Sequence, residues 1–354
     1  MADRGEELLQ QVRYAVEHAD PLQIVGNGSK VFMGREPAGK VISTAGHSGL
    51  IEYEPTELVI TVRSGTTLAE VDDVLGAEGQ WLGCEPPWFA ADSGGATVGG
   101  TLACNQSGPA RPWLGSIRDH VLGLRLINGR AEQLHFGGRV MKNVAGYDVS
   151  RLQAGAMGTL GLITEVSLRV FPRPECQGTA VLECDAAAAI ARMSRESLAG
   201  GALSAATWVD GRLFLRYSGS ETVVRERLTS AGGERLAAAE SFWTSIREQR
   251  HDFFTADEVL WRLSVPPAAP LPEDGRWLID WSGAQRWLHG PHRLGALEET
   301  AERVGGQAAL YRGGDRSGEV FHRRTVAQRR IHLSLKRAFD PQGVFNPGRL
   351  FSWM

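Results

Sequence analysis

Glycine is placed in blocks in this chain, and the blocks restrict the fold more than any apolar pattern does. Gly26-Asn27-Gly28-Ser29-Lys30 follows directly on the apolar stretch Leu22 to Val25. Asp92-Ser93-Gly94-Gly95-Ala96-Thr97-Val98-Gly99-Gly100 is the second block. The third is Lys142-Asn143-Val144-Ala145-Gly146-Tyr147-Asp148, continued by the run from Gly155 to Glu165. Glycine permits positive φ and close backbone approach, so successive N–H groups can converge on one anion. A pyrophosphate would suit the first block, with the Ser29 hydroxyl as an extra donor. Taken alone, a Gly-x-Gly turn is just as readily an ordinary tight turn. The block is not a P-loop, because the spacing before Lys30 is too short. Nor is it a Rossmann fingerprint, which needs a third glycine and a placed acid. Three such blocks in this order are much harder to explain as packing.

The apolar pattern between the blocks mixes helices with strands. Leu8, Leu9, Val12 and Val16 share one face of a helix expected over 5–19. Strands are expected over 22–25 and 57–62, and Thr66 or Thr67 can cap a helix striped by Leu68, Val71, Val74 and Leu75. Residues 121–127 and 131–136, joined through Asn128-Gly129, read as a hairpin. Strict βαβ alternation is missing, which points to an α+β fold. The glycine-rich stretch 83–115 carries Trp88, Phe89 and Trp113 as apolar anchors, so it reads as an ordered functional loop. The character changes after Phe171-Pro172-Arg173-Pro174. Expected units are 1–174, a second and smaller α+β unit over 175–316, and a tail over 317–354 that begins with an Arg- and His-rich helix over 317–339.

Bulk properties exclude several function classes. The net charge of −3 argues against a partner held mainly by electrostatics, such as DNA or an anionic membrane surface. No apolar run approaches the roughly 20 residues that span a bilayer. The start, MADRGEELLQQ, lacks an apolar h-region, so no secretory signal is expected and the cytosol is the expected compartment. Cys84, Cys104, Cys176 and Cys184 show no metal-ligand spacing, and no metal is expected. They are expected to be reduced and buried.

The blocks together resemble the FAD-binding domain of the vanillyl-alcohol oxidase / p-cresol methylhydroxylase (PCMH) superfamily. Within it, EPPWFAADSGGATVGGTLA, SIRDHVLGLRLINGR, FGGRVMKNVAGYDVSRLQAGAMGTLGLITEVSLRV and FDPQGVFNPGRL resemble the FAD-binding E subunit of bacterial glycolate oxidases. The resemblance is dense over 20–174, resumes at the tail and is looser between. It implies a two-subdomain PCMH-type FAD-binding domain, an α+β cap domain and a tail returning to the first domain. Gly26, Asn27, Gly28 and Ser29, with Lys30 beside them, correspond to the loop that holds the FAD pyrophosphate. Pro87, Gly94, Gly95, Ala96, Thr97, Gly99 and Gly100 correspond to the segment along the ribityl chain and flavin. Ser107, Gly108 and Gly115 belong to the next loop. Gly158, Thr159, Gly161 and Ile163 match the segment near the adenosine half, and Asn346 the tail that returns to the flavin. For Asn346 a helix-stop turn is the plain alternative.

Two departures from relatives shape the functional expectation. The first loop has no histidine, and His47 lies well past it, so FAD is expected to be held without a covalent bond. The metal-and-base motif of larger relatives that oxidise 2-hydroxy acids is missing. His289-Gly290-Pro291-His292 reads instead as an exposed loop pair. Oxidation of a 2-hydroxy acid needs a cation for the carboxylate and a base for the hydroxyl. Candidates are Arg247 and His251, four apart on an expected helix, with Arg262, Lys142 and Tyr147. Each could equally be an ordinary ion pair. Arg323, Arg324, Arg329 and Arg330 form either a solvated face or a docking surface. The expected function is that of an FAD-binding subunit of a glycolate oxidase-type dehydrogenase. It would transfer electrons with a larger catalytic flavoprotein and an iron–sulfur subunit, through which it could sit at the inner membrane. The alternatives are a self-sufficient FAD-dependent 2-hydroxy acid dehydrogenase and a non-catalytic assembly subunit.

Overall fold

A computed structural model describes residues 2–90, 94–138, 148–256, 258–272 and 275–354. Asp92, Ser93, Lys142 and Tyr147 lie outside the described residues.

The first part of the chain is built on a five-stranded antiparallel sheet in the order Leu50–Glu54, Val59–Arg63, Leu162–Arg169, Val121–Ile127, Gln133–Gly137. Ile60, Val62, Leu124, Val166 and Leu168 from its strands share a core with Leu68, Val71 and Leu75 of the helix Leu68–Gly76. That helix begins where the sequence indicated. Thr67 and Glu70 form a capping box that satisfies two otherwise unpaired N–H groups. The 121–137 hairpin has a longer loop than a two-residue turn. Asn128 accepts from the N–H groups of Arg130 and Glu132 through its side-chain oxygen, so it organises the loop itself.

Beside this sheet, Leu22–Val25 pairs in parallel with Lys40–Ser43. The chain's tail adds to the same ribbon: Leu22 N–H donates to Val344 C=O at 2.7 Å, and Asn346 N–H to Leu22 C=O at 2.8 Å. The amphipathic helix Gly5–His18 closes the ribbon, burying Leu8, Leu9 and Val12 against Ile42, Val344 and Phe345. The tail is thus an interior part of the first half.

Residues 176–312 form an eight-stranded antiparallel sheet, ordered Glu234–Arg235, Cys176–Glu183, Arg212–Gly219, Leu203–Val209, Trp277–Asp280, Gln285–His289, Leu260–Ser264, Gln307–Arg312. Strand alternation sends Leu213, Leu215 and Tyr217 to a core with the helix Ala186–Leu198, and Trp261 and Leu263 to one with the helix Leu294–Glu302. The opposite parity, Phe214, Leu260, Leu278, Trp287 and Tyr311, packs with Met33 and Met157 of the first half. One face of the sheet is therefore helix-covered, and the other lies over the first half.

Polar ties fix that second face. The Glu85–Arg216 ion pair, at 2.9 Å, is nearly fully buried. Trp281 donates its indole N–H to Gly108 C=O at 2.9 Å. The Glu248 carboxylate accepts from the N–H groups of Trp88 and Phe89.

Three expectations are corrected. The tail helix runs only over Val326–Phe339, opened by a Thr325–Gln328 capping box, because Phe321 before it bridges to the strand residue Ala309. The strand Gln285–His289 reaches into the 289–292 stretch that the sequence presented as loop. His289 is buried at its end, its Nε2 2.6 Å from Phe253 C=O, so it is not one of an exposed pair.

Candidate functional site

A cleft of about 800 Å³ opens where the parallel ribbon, the 97–104 helix and the 157–163 segment meet. The chain enters it straight from the strand Leu22–Val25. Gly28 has φ +77°, a left-handed turn that only glycine adopts freely. Gly26 is glycine for a different reason. A Cβ there would stand 2.4 Å from Thr97 Oγ1. That oxygen cannot easily give way, because it accepts from Gly100 N–H as the N-cap of the helix Val98–Ala103. Gly26→Ala should therefore lower stability by about 1–3 kcal/mol through overpacking and loss of the cap. Urea unfolding of the parent and variant measures this directly.

Gly26, Asn27, Gly28, Ser29, Lys30, Thr97, Gly99 and Gly100 all line this cleft. Gly158, Gly161, Ile163 and Asn346 line it from the other side. Gly94 and Gly95 contribute differently: their carbonyls accept from the Asn27 side-chain amide, at 3.4 and 3.1 Å. Asn346 spends its side chain on the protein. Its Oδ1 accepts from Ile24 N–H at 2.7 Å, and its Nδ2 donates to Met157 C=O at 2.5 Å. It shapes the wall by tying tail, ribbon and turn together. Ala96 and Thr159 are fully buried and do not line this cleft; Thr159 donates its hydroxyl to Ala156 C=O. Gly115 ends the short helix Arg111–Leu114 against Asp119 and His120, away from the cleft lining.

The electrostatics of the cleft are one-sided. Lys30 is 8% exposed, and its Nζ has the Ser29 hydroxyl at 3.0 Å as its hydrogen-bond partner. Burial pushes its ammonium down to about 8. Arg349, which the sequence reading missed, also lines the cleft, donating to the carbonyls of Val31 and Arg35. No carboxylate stands among the described lining residues. A buried ammonium without a counter-anion is costly, and an anionic ligand removes that cost. Glycine-walled backbone, a hydroxyl and two cations fit a pyrophosphate. Cys104 lines the same wall, and burial raises its thiol pKa, so it stays protonated. His47 does not line the cleft; its Nδ1 accepts from Arg4 N–H at 3.0 Å.

Pro87, Ser107 and Gly108 line a second, narrow cavity on the inner face of the eight-stranded sheet, together with Arg247 and Arg262. The pairing of Arg247 with His251 on one helix face is corrected. The helix Ala239–Arg247 ends at Arg247, and Gln249 turns the chain with φ +55°. His251 then caps the short helix Asp252–Phe254, accepting from Phe253 N–H. Arg247 is bound to Glu248 at 2.8 Å and stacks over Trp88. In the tail, Arg323 pairs with Glu298 and Glu302, Arg324 lies over Phe351 and Arg329 over Trp353, while Arg330 is exposed.

Comparison with known proteins gives this geometry a family. Residues 2–137 match the family model described as an FAD binding domain. The chain is 41% identical over 351 residues to glycolate oxidase subunit GlcE of Escherichia coli, covering 99% of this chain and 98% of that protein. Over 176 residues it is 28% identical to glycolate oxidase subunit GlcD of Bacillus subtilis. Over 171 residues it is 32% identical to D-lactate dehydrogenase of Archaeoglobus fulgidus. Each of these two matches takes in about half of this chain and 37% of the relative. Among solved structures, alkyldihydroxyacetonephosphate synthase superposes with a TM-score of 0.68 at 16% identity, over 97% of this chain and 75% of that one, a likeness of fold. No helix among the described residues is long and apolar enough to cross a membrane. The chain belongs to the glycolate oxidase E-subunit family of FAD-linked oxidoreductases, with FAD as its cofactor.

Proposed function

We propose that this chain holds FAD without a covalent bond, its pyrophosphate against the 26–30 loop, and serves as an electron-transfer subunit of a glycolate oxidase-type complex. Its partners would be a larger catalytic flavoprotein and an iron–sulfur subunit. The observation that carries the first part is Lys30, a buried ammonium whose hydrogen-bond partner among the described residues is the Ser29 hydroxyl, in a cleft whose described lining holds no carboxylate. Bound FAD supplies the capacity to take up two electrons and release them singly. The chain's own part is to neutralise the diphosphate through Lys30, to present backbone donors at 26–29, and to hold the walls through Thr97 and Asn346. The absence of a histidine from the described lining, and the protonated state of Cys104, support a non-covalent hold.

Support for assembly comes from the relatives' names as subunits. The exposed side of the helix Val326–Phe339 offers Val326 and Ile331, 87% and 59% exposed, beside Arg330. Acid precipitation of the purified protein tests the hold: all flavin should appear in the supernatant, and flavin retained in the pellet would overturn it. Anaerobic glycolate should leave the flavin absorbance of the isolated chain unchanged. Bleaching without a partner would replace the relay reading with that of a self-sufficient dehydrogenase.

A further inference from the structure

The helix Val326–Phe339 is held to the protein on one side only. Of its 14 residues, Lys336 alone is buried. Arginines of this region work on that inner side with the end of the chain. Arg324 lies over the Phe351 ring at 5.4 Å and Arg329 over the Trp353 ring at 5.0 Å. The two rings stack on each other, 4.8 Å apart and 4° from parallel. Opposite Lys336, the helix shows a different character. Ala327, Ile331, Ser334 and Ala338 follow at helical spacings along one face, and all four are exposed. Ile331 is 59% exposed among small side chains, which leave room for close approach of a second helix. Arg330 and Arg337 run along one edge of this face, with Val326, 87% exposed, at its start. Neither arginine has an ion pair or hydrogen bond among the described residues. The helix has no Asp or Glu that would pair with them.

Exposed aliphatic side chains edged by unpaired cations complement an apolar centre edged by carboxylates. We infer that this outer face docks an amphipathic helix of a different chain, its apolar stripe on Ile331 and its Asp or Glu side chains on Arg330 and Arg337. The inference rests on the reading of this chain as a subunit. A second copy of the chain, related by a two-fold axis, would set the basic edge against itself. An anionic bilayer matches less well, because the face offers Ala and Ser where a membrane-lying helix carries Trp, Phe or Leu.

Binding of the purified, flavin-loaded chain to a subcomplex of the larger flavoprotein and the iron–sulfur subunit tests the assignment, measured by biolayer interferometry. Ile331→Glu and the pair Arg330→Glu/Arg337→Glu should each weaken binding about tenfold or more. Arg330→Lys/Arg337→Lys should keep most of the affinity. Added salt should weaken the parent more than Arg330→Gln/Arg337→Gln. The three positions are exposed, so flavin absorbance and the urea midpoint of the isolated chain should not change in any variant. A photo-crosslinking residue in place of Ser334 should join the subcomplex at a peptide that contains Asp or Glu. If the parent itself does not bind, the subunit reading fails and this inference with it. If the parent binds and the variants bind equally well, the docking face alone is wrong. Crosslinks between two copies of this chain would also overturn it. So would sedimentation of the parent with phosphatidylglycerol vesicles that Ile331→Glu abolishes.

Discussion

Lys30→Met should weaken FAD binding by about 2–3 kcal/mol, roughly 30- to 150-fold in Kd, while making the apoprotein more stable. The opposite signs follow from one cause. In the folded apoprotein the ammonium is buried with the Ser29 hydroxyl as partner, so folding carries its desolvation cost. Methionine fills similar space without that cost. With FAD bound, the same ammonium meets a diphosphate, and the variant loses a charge-assisted contact. The pH dependence follows with a definite sign. Burial lowers the Lys30 pKa from 10.5 to about 8 in the folded apoprotein. Between these values the unfolded chain still binds the proton that the folded chain has released, so apoprotein stability rises with pH. The gain approaches about 3 kcal/mol by the upper end of that window. Below pH 8 both states hold the proton, and the full penalty is present. The parent minus Lys30→Met difference isolates this from other titrating groups. FAD binding between pH 8 and 10.5 should take up a proton in the parent only, measured by calorimetry in two buffers of different ionisation enthalpy. Identical apoprotein melting of parent and variant across this range would remove Lys30 from the account.

Much of this site was legible because glycine placement is a local signal. Gly28 needs its left-handed turn, and Gly26 its close approach to Thr97, whatever the rest of the chain does. The 67–76 helix was legible for the same reason, since Thr67 and Glu70 form its start within one turn. What sequence did not disclose was the use of side chains over long range. Asn346 resembled a ligand contact but bonds to Ile24 and Met157, partners 322 and 189 positions away. Arg349 gave no periodic or motif signal, yet holds the 31–35 segment through two carbonyls. Arg247 and His251 had helical spacing, which fails because the helix ends between them. Arg262 had been only one cation among several. Its place over the Tyr311 ring, with no hydrogen bond or ion pair among the described residues, appears only once the inner face of the sheet is assembled.

Asp340→Ala should cost about 3–5 kcal/mol of stability and release the tail from the flavin cleft. Asp340 is 1% exposed, and its carboxylate is committed on both oxygens. One accepts from Val344 N–H at 3.1 Å, the other from Phe345 N–H at 2.8 Å and from Lys336 Nζ at 2.7 Å. Lys336 is itself buried and also donates to the carbonyls of Thr159 and Phe345. Removing the carboxylate therefore strands an ammonium and two backbone donors in the interior, each of which must find water or unfold its surroundings. The segment that follows is the one that carries Asn346 and Arg349 into the cleft wall. FAD affinity should accordingly fall together with stability in Asp340→Ala, whereas Lys30→Met separates the two. The single variant Lys336→Met should also destabilise, because it leaves the anion unpaired. The double variant Lys336→Met/Asp340→Ala should recover part of the combined loss, because neither charge then remains buried. Urea midpoints for the four proteins close the cycle. If the two single changes simply add, the pair is two independent contacts, and the tail is held by its backbone strand and Phe345 alone.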